Sequence, residues 1–528
     1  VYNHGEIPLK ISTTDAYKIL VVSPVPGKSH AILGDGIVNH LAKAGHQIHY
    51  ITAIALKKSD NVTVIEIKES YEYLNTCKYL RNKNIYNLTY DMTLLYGANN
   101  MLTIMATMNE FSKITLNNPE VKALLTDKNQ HFDVIILEWL YIDVYAGLQA
   151  VFDCPFIWFS TIEPHWRILS LIDEIPNPAY TTDPMISSFP PFTFYQRVKE
   201  LVYILKFYVS NIIYCLFYSI SRGQDIQHYQ EMLVPIIEMK GKVAPSLEEL
   251  RHNASLVLGN SHLSLGLPFR LPDIYKAIGG YHIEEDIQPL PKDLKKILDK
   301  ASQGLIYFSM GSNLRSKTLP TKVKNELLKM FGQLKQTVLW KFEDDLPNRP
   351  KNVHIVHWAP QQSILAHKNC ILFITHGGLL STTETVHFGV PIIGIPIFAD
   401  QFVNVDRAVQ KGFAKRVDIS YNVADDLKKA IDDILSDPTY RKKVKELSFI
   451  YHDRPVSPGK ELVHWVEHVI RTNGAPHLRS PALMVPWYQK MYLDLATLVV
   501  VFTLVIIYVL KLMIKAILSK PDATKKRN

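Results

Sequence analysis

The sequence predicts an α/β protein of two doubly wound domains followed by one transmembrane helix. Three observations lead there. At 528 residues the chain is too long for one hydrophobic core, so two domains are expected. Short β-branched apolar runs alternate with amphipathic stretches, an alternation that begins at Lys18 and restarts at Gly304. Near the C-terminus, Leu495 to Leu510 carries no charge, and its flanks extend it over 493–515, long enough to cross a bilayer with slight tilt. The expected boundaries are 18–283 for the first domain, 284–291 for a linker of glycine, acids and Pro-Leu-Pro, 292–485 for the second domain, 493–515 for the span and 516–528 for a basic tail.

Composition narrows the class. With 47% hydrophobic and 20% charged residues, this is a packed protein. The net charge of +8 is spread among interspersed acids and bases, which is not a nucleic-acid signal. Cys77, Cys154, Cys215 and Cys370 have neither metal nor redox spacing. Buried thiols are the default reading, a disulfide stays open, and no metal is expected. A first residue Val1 rather than Met suggests a removed secretory leader. The sequons at Asn61, Asn87 and Asn253 would then be glycosylation sites.

In order, Lys18 to Ser23 reads as a strand, Pro24 to Gly27 as a turn, Ala31 to Ala44 as a helix and Gln47 to Thr52 as a second strand. Gly27-Lys28-Ser29 mimics the end of a P-loop, but Val22 stands where its first glycine belongs. Gly34-x-Gly36 starts a dinucleotide fingerprint, but Asn39 stands at its third glycine. ATP and NAD are therefore rejected here. His30 falls in the loop after the first strand, at the carboxyl edge where α/β sheets bind ligands. Residues 60–130 read as surface helices and loops. Phe132 to Leu137 is a buried strand ended by Glu138, with Asp143 a little over a helical turn further on, and Pro155 to Ser160 is the next strand. Leu201 to Ile220 is a second apolar run, read first as a buried helix lining a hydrophobic pocket, then as an interfacial helix, and last as a span. Ser255 to Gly259 is expected to be the last strand of the first domain.

The second domain opens with a strand at Gly304 to Met310 and a small-residue turn, Ser309-Met310-Gly311-Ser312, able to bring N–H and hydroxyl groups to a phosphate. A helix over Lys322 to Leu334 and strands at Thr337 to Phe342 and Val353 to Val356 follow. Ile371 to Ile374 is a buried strand broken by Thr375-His376-Gly377-Gly378. Ser381 to Glu384 then opens a helix that Gly389-Val390-Pro391 ends. A glycine turn feeding a helix N-terminus suits an anion. Ile392 to Ile397 is the next strand, with Asp400 and Gln401 past its end, and Lys460 to Thr472 is a closing helix. Around the span, Trp487, Tyr488 and Tyr492 form an aromatic belt on one side, while Lys511, Lys515, Lys520, Lys525, Lys526 and Arg527 lie on the other. The positive-inside rule puts the tail in the cytosol and the body in the lumen. The final Lys525-Lys526-Arg527-Asn528 has the form of a retrieval signal to the endoplasmic reticulum.

One stretch is specific enough to suggest a family. Trp358, Pro360 and Gln361, then Phe373 to Gly378, Glu384, Gly389, Pro391, Gly394, Pro396, Phe398, Asp400 and Gln401 match W-x-P-Q, F-I-T-H-G-G, E and G-x-P-x-x-G-x-P-x-F-x-D-Q. This resembles the signature of the animal UDP-glycosyltransferase family, in its membrane-bound, arthropod-like form. The resemblance implies a GT-B architecture: two Rossmann-like domains facing a cleft, the first for the acceptor and the second for the UDP-sugar. It implies that His30 is the catalytic base. Family members commonly have an Asp that orients it. Here Glu138 or Asp143 would fill that role, Glu138 being favoured. By the same resemblance Trp358 stacks on uracil with Gln361 beside it, and Glu384 takes the ribose hydroxyls. His376, Gly377, Gly378, Ser381 and the turn of Ser309, Gly311 and Ser312 hold the diphosphate, His376 and the helix end supplying positive potential. Asp400 and Gln401 bind the sugar. Leu380 stands where the family often has a polar residue, and receives no contact.

The implied reaction is inverting hexosyl transfer, glucose favoured over glucuronate, to a hydroxyl or other nucleophile of a small lipophilic acceptor of the kind met in detoxification. The UDP-sugar is a co-substrate, and no cofactor is expected. The membrane and a homo-oligomer are the remaining candidate partners, nucleic acid is not one, and the setting is the endoplasmic reticulum membrane, single-pass. The competing readings are a catalytically degenerate UDP-sugar-binding membrane protein or partner subunit, and a transporter component built on the two apolar segments.

Overall fold

The computed structural model describes residues 16–54, 60–76, 98–173, 177, 179, 191–202, 204, 222–266, 270–283, 285–312, 316–397, 399–490 and 492–518. Cys77, Cys215, Asn87, most of the 201–220 run and the tail from 519 lie outside them.

The first domain is a seven-stranded sheet of β1 (Lys18–Ser23), β2 (Gln47–Thr52), β3 (Val62–Glu66), β4 (Val134–Trp139), β5 (Phe156–Ser160), β6 (Leu256–Gly259) and β7 (Tyr275–Ala277). Its order is β3-β2-β1-β4-β5-β6-β7, and every pairing is parallel. The second sheet has β8 (Leu305–Ser309), β9 (Thr337–Lys341), β10 (Val353–Val356), β11 (Cys370–Thr375), β12 (Ile392–Gly394) and β13 (Ala414–Arg416), in the order β10-β9-β8-β11-β12-β13, again all parallel. Helices cover both faces of such sheets, which is why the central strands read as continuous apolar runs; β4 and β5 are buried at every position. The order of strand addition reverses once in each sheet, between β1 and β4 in the first and between β8 and β11 in the second. Ligands of open α/β sheets bind outside the strand ends at such switch points. The two doubly wound domains are those the alternation in the sequence predicts.

Several elements differ from the sequence reading. The first helix, α1 (Lys28–Lys43), starts three residues early, so His30 sits in its first turn and not in a loop. Gly27 is extended there (φ −114°, ψ 136°) and its carbonyl accepts from Ala31 N–H at 2.9 Å, which starts the helix at once. β4 continues through Glu138 to Trp139, so Glu138 is a strand residue. β3 and β7 were not anticipated: the first is a short strand within the polar 60–130 stretch, the second only three residues long. β12 ends at Gly394; one further bond, Ile395 N–H to Thr375 O at 2.7 Å, is the last before Pro396, which has no N–H to offer. The helix after the glycine turn, α2 (Leu379–Phe388), begins two residues before Ser381, with Gly378 as its N-cap. Beyond it lie α3 (Gln401–Gln410) and α4 (Thr439–His452).

The closing helix α5 (Pro458–Arg471) leaves the second domain and returns to the first. Leu462, Val466, Val469 and Ile470 join the core formed by Ile19, Leu33, Ile37 and Val134, and α5 lies beside α1. From the second domain Leu380 also packs against that core, which accounts for an apolar residue at this position. Finally α6 (Leu493–Leu518) contains 24 residues, Leu493–Ala516, apolar and long enough to cross a membrane, and none of that stretch is buried against the body. A core helix of a soluble protein would be buried. Cys154 and Cys370 are buried free thiols.

Candidate functional site

The first switch point brings together residues far apart in sequence. Ser23 ends β1 and Glu138 lies near the end of β4. The Ser23 hydroxyl donates to Glu138 Oε2 at 2.8 Å, and His30 Nδ1 lies 2.5 Å from Glu138 Oε1. Glu138 is buried, while the His30 side chain is 20% exposed. For a neutral ring against a carboxylate, which only accepts, this contact puts the proton on Nδ1 and leaves Nε2 its lone pair. That is the tautomer a general base needs. Asp143, the alternative partner, belongs to another network. Its oxygens accept from Trp139 Nε1 at 2.9 Å and from Arg251 Nη1 at 2.9 Å, and no hydrogen bond links it to His30. The carboxylate that meets His30 is Glu138.

Beside Glu138, β4 runs into a buried aromatic group. The Trp139 and Tyr141 rings are 5.3 Å apart, and the His165 ring is 5.5 Å from Trp139.

The second switch point carries the other half. The N–H groups at the start of α2 have no carbonyl of their own helix to bond, so they are free to bind an anion. Gly377 sits at φ +80°, which side-chain-bearing residues rarely adopt, and so turns β11 into the helix. The His376 ring is wedged between this turn and the one after β8. A Cβ on Gly311 would come within 2.5 Å of its Cε1, and one on Gly378 within 2.7 Å of its Nε2. His376 Nδ1 is buried without a partner. Burial, then the Lys341 charge, pushes the His376 pKa down to about 4. Burial at this turn therefore favours the neutral imidazole. The cation here is Lys341, which the sequence reading missed; its Nζ donates to Gly311 O at 2.8 Å and to Glu343 Oε1 at 3.0 Å. Ser312 is exposed, whereas Ser309 is buried and accepts from Gly311 N–H at 3.3 Å, serving the turn.

Trp358 presents an indole that is 59% exposed. Gln361 opens a short helix just after it, but its amide turns inward, donating to Ser381 Oγ at 3.0 Å and to Glu384 Oε2 at 2.5 Å. Gln362, also missed, donates to Glu384 Oε1 at 3.0 Å. Burial raises the Glu384 pKa and these two amides oppose the rise. Asp400 accepts from Asn404 at 2.8 Å, and the same amide donates to Gly377 O at 3.1 Å, tying this carboxylate to the glycine turn. Burial raises the Asp400 pKa; the hydrogen bond from Asn404 and one from the backbone oppose the rise, followed by the charges of His30 and Arg407. Gln401 is buried and accepts from Ile397 N–H at 2.9 Å, so that oxygen serves the loop.

The two halves face each other. Lys28 and His30 lie in the first turn of α1; Lys28 faces Trp358 of the second domain, and the charge of His30 is felt by Asp400. Lys28 Nζ stands 4.3 Å from the Trp358 ring. Among the described residues no group of three or more His, Cys, Asp or Glu side chains is placed to hold a metal. Of the sequons, Asn61 is exposed, while Asn253 is half-buried and donates to Gln149 at 3.0 Å.

Residues 17–527 match the family model of UDP-glucoronosyl and UDP-glucosyl transferase. The chain is 31% identical over 525 residues to UDP-glucosyltransferase 2 of Dactylopius coccus, covering 98% of this chain and 97% of that one. It is 28% identical over 487 residues to UDP-glucuronosyltransferase 2B7 of Homo sapiens, covering 90% and 88%. Among solved structures it is similar to the glycotransferase of kitacinnamycin, with a TM-score of 0.52 at 17% identity over 87% of this chain and 100% of that chain. It is also similar to CalG4, the calicheamicin glycosyltransferase, with a TM-score of 0.51 at 17% identity over 86% and 98%. These structural likenesses speak for a shared GT-B fold.

Proposed function

This chain belongs to the UDP-glycosyltransferase family, enzymes that move a glycosyl group from a UDP-sugar, and we propose that it is an inverting glucosyltransferase with His30 as general base. The observation that carries the reading is the contact of His30 Nδ1 with buried Glu138, made at the cleft edge opposite Asp400 and Trp358. In this reading His30 Nε2 takes the proton of an acceptor hydroxyl. The oxygen attacks the anomeric carbon on the face opposite UDP, and an α-linked donor gives a β-glycoside. Glu138 stabilises the imidazolium that forms. UDP leaves into the start of α2, with Lys341 close by. Trp358 stacks on uracil, Glu384 takes the ribose, and Asp400 holds sugar hydroxyls.

Electrostatics favours glucose. A glucuronate carboxylate would face Asp400, and Arg407, whose charge Asp400 feels, is buried opposite Glu163 at 3.9 Å. The aromatic group of Trp139, Tyr141 and His165 beside the base suits a small lipophilic acceptor. The exposed α6 is read as a single-pass anchor in the endoplasmic reticulum membrane, with the body in the lumen.

The test is His30→Ala in the full-length membrane protein, assayed with UDP-glucose and a panel of phenols. Transfer should be lost, by about 10²–10⁴-fold, while UDP still binds. Full transfer activity in the folded variant would remove His30 from the mechanism.

A further inference from the structure

We propose that Lys28 is a donor ligand contributed by the acceptor-side domain: its ammonium, which rests on Trp358, passes to the diphosphate once uracil takes the indole. The inference rests on the donor assignment above. Lys28 lies two residues before His30 in the first turn of α1, and its Nζ is 4.3 Å from the ring centroid of Trp358, 330 positions away on the other domain. Among the described residues no carboxylate pairs with it. It is half-buried, and burial followed by the charge of Lys341 lowers its pKa.

Two ammonium groups from opposite domains thus share one cleft, and only Lys341 has a carboxylate, Glu343. The same cleft wall holds the unpartnered Nδ1 of His376 and the free N–H groups of α2. Apart from Lys341, which has Glu343, each of these groups can be completed by an anion. A cation over an exposed indole is held weakly, whereas an ammonium–phosphate hydrogen bond is charge-assisted and stronger. A lysine has a flexible four-carbon stem, so the head can change partners without moving α1. The exchange would leave the ring free for the base. It would also couple donor occupancy to the helical turn that presents His30.

The experiment is titration of UDP and of uridine into full-length protein in lipid nanodiscs, for the wild type, Lys28→Met and Lys28→Arg, with thermal midpoints confirming folding. Lys28→Met should weaken UDP about tenfold or more, while uridine, which has no phosphate, binds as in the wild type or more tightly because its competitor for the indole is gone. Lys28→Arg should recover most of the UDP affinity. UDP binding to Lys28→Met within twofold of the wild type would overturn the proposal. So would equal losses for UDP and uridine, which would mean that Lys28 acts on the base site or on the fold. Wild-type protein that binds neither ligand would overturn the donor assignment itself, and this inference with it.

Discussion

His30 Nδ1 lies 2.5 Å from Glu138 Oε1, and the other oxygen of that carboxylate accepts the Ser23 hydroxyl at 2.8 Å. Glu138 therefore has a fixed orientation and presents a charge to the imidazole. Glu138→Gln keeps the shape but removes the charge that stabilises the imidazolium. Steady-state kinetics should show kcat falling about 10²–10⁴-fold, with the donor KM within a few-fold. Ser23→Ala frees one oxygen and should cost about tenfold or more in kcat, roughly one hydrogen bond to a charged group. Asp143→Asn, which weakens the pair with Arg251, should lower the melting temperature and leave kcat nearly unchanged. A kcat loss in Asp143→Asn as large as that in Glu138→Gln would refute the assignment.

The pH dependence of donor binding should report His376. Burial holds its pKa down at about 4, which favours the neutral ring at pH 7. A diphosphate placed against it favours the protonated form and raises that pKa in the complex. Binding then takes up a proton wherever the pH lies between the two values. UDP-glucose affinity should strengthen as the pH falls from 8 towards 5, with a slope of at most about tenfold per pH unit. The His376→Gln variant should be flat. UDP-glucose is the right probe because, unlike UDP, it has no terminal phosphate that titrates in this range. Calorimetry in buffers of different ionisation enthalpy would detect the proton directly, and equal heats in all buffers for the wild type would exclude the linkage.

Glu384 should read the ribose. Both its oxygens already accept an amide, from Gln361 and Gln362, and each retains a lone pair for a hydroxyl. A buried acceptor built for a hydroxyl is left unpaired by a ligand that lacks one. The wild type should therefore bind UDP-glucose at least about tenfold more tightly than its 2′-deoxy analogue. Glu384→Ala should raise the donor KM about tenfold or more and bind the two donors alike. A variant that still discriminates would put the ribose elsewhere.

What could be read in advance follows from the range of the interactions. The stretch from Trp358 to Gln401 is legible because its chemistry is local: Gly377 makes the turn, Gly389 and Pro391 end the helix, and β11 is an unbroken apolar run. The role proposed for His30 comes only from family resemblance, since a lone histidine after a strand carries no signal of its own. Its partner depended on geometry that spacing does not contain. Glu138 lies 108 residues from His30, and only the extension of β4 through Trp139 places it there. Lys28, Lys341, Gln362 and Asn404 were missed because each acts across a junction between elements. The apolar spacing of Leu462, Val466 and Val469 announces a helix, but not that it packs on the first domain. Gln47 to Thr52 was found and Val62–Glu66 was not, because the first is half apolar and buried towards its end whereas the second alternates with exposed polar residues.

The pair of Glu163, after β5, and Arg407, on α3, should make stability depend on pH in a direction opposite to that of an ordinary ion pair. Both side chains are buried at the junction of the domains, with Arg407 Nη1 3.9 Å from Glu163 Oε2. That is too long for a hydrogen bond, and burial outweighs the attraction of Arg407 and Lys411, raising the Glu163 pKa from 4.5 to about 7. A group whose folded pKa exceeds its unfolded value binds more protons when folded. Its stabilisation is complete below pH 4.5 and is lost as the pH rises through 7. The shift corresponds to roughly 3 kcal/mol. Melting temperatures measured from pH 5 to 8 should therefore fall by several degrees more in the wild type than in Glu163→Gln, which cannot titrate. If the pair were instead a tight salt bridge with a depressed carboxyl, the wild type would gain on the variant as the pH rises from the acid side, and would hold that gain at pH 8. The sign of the difference between the two curves therefore decides whether Glu163 is held at the junction mainly as an acid or as a carboxylate.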